Sequence, residues 1–196
     1  MTPLFLNLEY NRPGFPEDDY GFTREDRLKY APFAIEYILG DADISNLSRL
    51  ALSDGVSLFT RTELAHLTDV RAITRIAIYV LYVGSITALL IGGIGWWMST
   101  IRKLFWRGLF DGSILTVSII GVIVVLAITR WDFFFTSFHQ LLFERGTWQF
   151  AYSDTLIRLF PEQLWFDAAL VVGTLTTTGA GIILVVSWRK LKAAPV

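Results

Sequence analysis

Three stretches of the chain are apolar from end to end. They are residues 76–98 (IAIYVLYVGSITALLIGGIGWWM), 113–129 (SILTVSIIGVIVVLAIT) and 166–188 (FDAALVVGTLTTTGAGIILVVSW). None contains Lys or Arg, and the only acid among them is Asp167, at the head of the third. A helix needs roughly 20 apolar residues to cross the hydrocarbon core of a bilayer, so each stretch predicts a membrane span, the shorter second one with little tilt. Buried helices of a soluble protein are the competing reading. The expected fold class is therefore all-α, a polytopic membrane helix bundle with a small helical outer domain.

The polar segments carry helix signals of a different kind. Pro13, Gly14 and Pro16 punctuate an extended or turning stretch. Thr23 then stands three residues before Asp26 as an N-cap, and Leu28, Phe33, Ile35 and Ile38 follow at helical spacing up to Gly40. That pattern predicts a short helix, broken or kinked near Pro32. Residues 44–52 predict a further helical turn. Thr60 and Glu63 form a capping box that opens a helix running on into the first span. No internal repeat or low-complexity stretch is present.

Composition and charge then fix the expected topology. The chain has 196 residues, of which 53% are hydrophobic, and a mean hydropathy of +0.48, high for a soluble globule of this length. Residues 99–112 carry Arg102, Lys103 and Arg107 against Asp111, and the tail after Trp188 carries Arg189, Lys190 and Lys192 against no acid. The positive-inside rule puts both in the cytoplasm. Residues 1–70 hold six bases and twelve acids, and residues 130–167 hold three bases and five acids, so both are expected outside. The organisation that follows is an extracytoplasmic domain over 1–70, spans within 71–98, 113–129 and 166–188, a cytoplasmic loop over 99–112, an outer interfacial loop over 130–165 and a cytoplasmic tail over 189–196. Three spans with a cytoplasmic C-terminus leave the acidic N-terminal domain outside, and no signal peptide precedes it. A fourth span upstream is therefore expected in the complete protein. The absence of cysteine excludes disulfides, a thiol nucleophile and thiolate metal sites. The acidic exterior and near-neutral balance argue against nucleic acid as a partner.

The candidate chemistry lies in two histidines. His66 stands on the helix that enters the first span, with Glu63 and Asp69 three residues to either side and so on its helical face. Either carboxylate can fix the tautomer of an imidazole. His139 lies just beyond the second span, and antiparallel neighbouring helices bring both histidines to the outer surface. As packed or interfacial side chains they would need no further explanation. The Glu63–His66 spacing also occurs in carboxylate metal sites, but those draw more acids from several helices, so no metal is expected. The second outer loop adds Phe138, Phe143, Trp148, Phe150, Tyr152, Phe160, Trp165 and Phe166, the aromatic density of a headgroup-layer segment, interleaved with Glu144, Arg145, Asp154 and Arg158. Asp154 and Arg158 have the spacing of an i, i+4 pair. An interfacial pocket with a His base, an Arg and acids suits a lipid ester.

The segments LEYNRPGFPEDDYGFTREDRLKYA, FTRTELAHLTDV and FHQLLFERGTWQF with DTLIRLFP, in that order and separated by spans, resemble the bacterial integral membrane family of lipoprotein intramolecular transacylases, Lit. The resemblance covers residue 4 to about residue 188. It implies four spans, a helical outer domain between the first and second, two outer histidines and no cofactor. The implied reaction moves the sn-2 acyl chain of a diacylglyceryl-cysteine lipoprotein to the α-amino group of the same cysteine, leaving the lyso form in the bacterial cell membrane. Diacylglyceryl-modified lipoproteins and membrane lipid are then the partners. His139 is expected as the base and His66, held by Glu63 or Asp69, as its partner. Arg158, Arg12 and Tyr20 are candidate oxyanion donors, the last two taken from the matching motifs, with bracing of the outer domain as the stronger reading for Tyr20. A lipid-ester hydrolase using the same pair, and a non-enzymatic membrane scaffold, are the alternatives.

Overall fold

The computed structural model describes residues 2–52 and 55–193. Within them the chain is all-α: α1 (Pro3–Tyr10), α2 (Arg24–Leu39), α3 (Ser45–Ser48), α4 (Arg61–Trp97), α5 (Ser99–Thr129), α6 (Trp131–Leu142), α7 (Thr155–Leu159) and α8 (Glu162–Ala193). The described residues contain no strand, only an isolated bridge between Ala51 and Ser57. Two compact units divide the chain, one of Met1–Ile78 with Ser137–Ala168, the other of Tyr79–Thr136 with Ala169–Val196.

The second unit holds most of the apolar length. Helices α4, α5 and α8 are each long and apolar enough to cross a membrane. Leu89, Trp97 and Leu175 stand more than two-thirds exposed on them, a surface that water would penalise and lipid tails would not. Some hydroxyls along these helices bond back to carbonyls of the preceding turn, Ser113 to Leu109 and Ser187 to Ile183, each at 2.7 Å, so those two need no water. Gly173 lets α8 approach α5, since a Cβ at that position would lie 3.2 Å from Val124. Residues 99–112, expected as a loop, are instead the first turns of α5. Arg107 pairs with Asp111 one turn on at 3.0 Å, and the large apolar side chains of LFWRGLF are good enough helix formers to carry Gly108 and Gly112.

The first unit has a conventional core. Leu6, Tyr10, Phe22, Tyr30, Ile35, Leu47, Leu58, Phe59, Leu67, Leu159 and Leu164 pack together from α1, α2, α3, α4, α7 and α8 and the loops between. The Thr23–Asp26 capping box opens α2, and Gly40 ends it. The helix does not break at Pro32: it forfeits one backbone donor, while buried Ala31, Ala34 and Ile35 hold both halves against the same core. Polar side chains then clamp the loop 12–22 and α1 onto α7. Tyr10 donates its hydroxyl to the carbonyl of Leu159 at 2.7 Å, and burial pushes its pKa upward. Arg27, buried, donates to the carbonyls of Arg158 and Pro16.

Glu63 makes the connection on which the site rests. Its side chain is 0% exposed. One carboxylate oxygen accepts from the backbone N–H of Thr60 at 2.7 Å, closing the cap of α4, and the other accepts from Leu156 N–H at 2.6 Å, in the first turn of α7. A single carboxylate thus satisfies orphan donors on two helices. Removing it leaves the buried N–H of Leu156 unpaired and the N–H of Thr60 uncapped, so Glu63→Ala is expected to lower stability by roughly 2–4 kcal/mol, read from denaturant unfolding in detergent micelles. A midpoint indistinguishable from that of the parent chain would contradict this role.

Candidate active site

His66 sits one turn after Glu63, on the face of α4 that turns inward, and is 6% exposed. It precedes the apolar run at Ile76 by ten residues, about 15 Å of helix, and so lies outside the spanning segment. His139 comes from the last turn of α6. The two rings lie 6.4 Å apart between centroids, inclined by 24°. Phe143 and Phe150 stand 4.8 and 5.4 Å from His66, and Trp148 lies 4.9 Å from His139. All five rings belong to the first unit. The return of the chain from Phe143 to Trp148 depends on Gly146, whose φ of +85° a side chain would oppose.

An aromatic enclosure of this kind has electrical consequences. Burial, with a smaller contribution from the neighbouring His139, lowers the pKa of His66 from 6.5 to about 4, against an opposing pull from Asp69. His66 is therefore neutral at neutral pH. Its Nδ1 is buried without a hydrogen-bond partner, and so is Nε1 of Trp148. Buried polar atoms are ordinarily paired, which makes two unpaired ones around one histidine pair a chemical signal.

The expected supporting residues fall differently. Glu63 does not hold His66, because both of its oxygens are taken by backbone N–H groups of Thr60 and Leu156. Asp69 is exposed and acts on the imidazole only through its charge. Arg158 does not pair with Asp154 at i, i+4: Asp154 accepts from the N–H of Ala151, while Arg158 reaches Asp18 at 3.1 Å and the carbonyl of Tyr20 at 2.9 Å, over the ring of Phe22. Arg158 and Tyr20 instead line a cleft of about 330 Å³ with Glu17, Asp18, Arg27 and Tyr152, whose wall includes neither histidine. Arg12 is committed to Glu9 and Asp167. Arg158 and Arg12 thus tie residues 9–20 to α7 and α8, and Tyr20 enters only through its backbone carbonyl. The residues that do enclose the histidines, Phe143, Trp148 and Phe150, read in the sequence as members of an aromatic belt. The glycine that turns the chain between them was the available signal.

Because burial favours the neutral imidazole, the unfolded chain binds the His66 proton more readily than the folded one. The resulting stabilisation is complete above pH 6.5 and is lost as pH falls towards 4. His66→Gln, which cannot titrate, is expected to lose less melting temperature than the parent chain between pH 7.5 and 4.5. Equal losses in the two proteins would show that His66 is not held neutral.

The family model described as "Lipoprotein intramolecular transacylase Lit" matches residues 1–165. An uncharacterized protein of Aquifex aeolicus (strain VF5) is 32% identical over 176 residues, covering 90% of this chain and 78% of that protein. No solved structure matches. With its match running through both histidines and the loop that encloses them, the chain belongs to the lipoprotein intramolecular transacylase family.

Proposed function

We propose that the chain is a membrane acyltransferase that moves the sn-2 acyl chain of a diacylglyceryl-cysteine lipoprotein to the α-amino group of the same cysteine, giving the lyso form. The observation that carries this reading is the pairing of two imidazoles, 6.4 Å apart, inside a ring of aromatic side chains in a chain of this family. The reaction is aminolysis of an ester. An α-amine has a pKa of about 8 and is mostly protonated at neutral pH, so a base must relieve it of a proton around the moment of attack.

His139 is the better base of the two. A base works best with a pKa near the working pH, and at about 4 the His66 imidazole holds a proton too weakly for that role. His139 is also the less buried ring. It takes the proton from the amine and returns it to the departing glycerol oxygen. His66 stays neutral beside it, where a second positive charge would be resisted. Amine and ester belong to one substrate, so folding the glyceryl group back on the cysteine supplies high effective concentration. The acidic balance of residues 1–70 and the basic flanks of the spans support an extracytoplasmic placement of this chemistry.

Mass spectrometry of lipopeptides distinguishes the outcomes. Transacylation is an isomerisation, so the intact lipopeptide mass stays constant while fragmentation moves one acyl group from glycerol to the cysteine nitrogen. That result is expected in a bacterial host expressing the chain, and it is expected to vanish with His139→Ala. Loss of one acyl chain as free fatty acid would establish a hydrolase instead, and unchanged lipopeptides would leave a scaffold.

A further inference from the structure

The proposed aminolysis generates a negatively charged oxygen, and none of the arginines considered for it stands at the histidines. Arg158 is spent on Asp18, Tyr20 and Phe22, and Arg12 on Glu9 and Asp167. We propose that the indole N–H of Trp148 is the donor that binds the carbonyl oxygen of the acyl group and stabilises its oxyanion. This assignment rests on the acyl-transfer reading above.

Three observations carry it. Trp148 is only 9% exposed, and its Nε1 is buried without a partner. An indole nitrogen donates and never accepts, so the group it lacks is an acceptor. Its ring lies 4.9 Å from that of His139 at an inclination of 35°, beside the base rather than remote from it. A neutral donor also suits this enclosure better than a guanidinium, since the aromatic walls that depress His66 would penalise a buried cation. The turn at Gly146 delivers the indole there.

The step balances within the substrate. The amine enters neutral, its ammonium proton lost to bulk water, and its nitrogen bonds to the sn-2 carbonyl carbon as the carbonyl π pair moves onto oxygen, which accepts a hydrogen bond from the Trp148 N–H. His139 removes the proton from nitrogen. Collapse re-forms the carbonyl, breaks the bond to the glycerol oxygen, and that oxygen takes the proton from His139. An amide and a free hydroxyl result, and no water is consumed.

The test replaces Trp148 by Phe and, in a second variant, by 3-benzothienylalanine, which keeps the bicyclic shape and puts sulfur where the N–H was. Removal of a single oxyanion donor lowers kcat by roughly 100- to 1,000-fold, with KM about unchanged, and that split is expected for both variants. A purely packing role would spare the benzothienyl variant. In parallel, the Trp148 indole N–H resonance of the full chain in micelles is followed while a diacylglyceryl lipopeptide with an sn-2 amide in place of the ester is added. A downfield shift is expected. A chain that shifts this resonance yet forms no lyso product would retain the carbonyl site while the transacylase reading fails. Conversion with normal kcat in the benzothienyl variant, or an unmoved resonance, would overturn the donor.

Discussion

Two backbone N–H groups meet on the carboxylate of Glu63, and the candidate site is built outward from that point. One belongs to the cap of α4 and the other to the first turn of α7, 93 residues from Glu63 in the chain. A carboxylate 0% exposed to solvent is tolerable only because these donors satisfy it. The arrangement fixes where α4 begins, and therefore the face on which His66 emerges one turn later. It also fixes α7, against which Tyr10, Arg27 and the 16–22 loop are fastened. The acid one turn before His66 thus serves the imidazole by positioning its helix, not by bonding to it.

That distinction matters for the chemistry. An imidazole bonded to Glu63 would gain a partner that favours its charged form. Left unbonded at Nδ1 and walled by Phe143 and Phe150, His66 is driven the other way, towards neutrality. The pair then divides into one ring that resists protonation and one that is more open, an asymmetry suited to a single proton in transit. The aromatic residues set this division. Their contribution is exclusion of water as much as contact.

Much of the architecture was legible in the sequence because its signals are local. Three uninterrupted apolar runs, the Thr23–Asp26 and Thr60–Glu63 caps and the stop at Gly40 each act within a few residues, and each appears in the structure at its expected place. Extent was harder to read. The basic residues 99–112 look like a loop by charge, yet Arg107 and Asp111 sit at helix spacing and α5 runs through them. Pro32 marks a break by propensity, and the buried alanines around it outweigh that preference. Partner choice over long separations was not legible at all. Spacing alone offered Asp154 for Arg158 and Glu63 for His66, whereas folding gave Arg158 the carboxylate of Asp18 from 140 residues away and gave Glu63 the N–H of Leu156 from 93. The aromatic enclosure was hidden for a related reason, because rings that line a site and rings that line a membrane boundary share one composition.

The central claim is that His66 and His139 act as one unit on one ester. It is tested most directly by the rates of acyl transfer in His66→Asn, His139→Asn and the double variant. Residues that share a step are strongly non-additive, so the double variant should be about as slow as the slower single variant. Losses that multiply, as for two independent sites, would contradict the account.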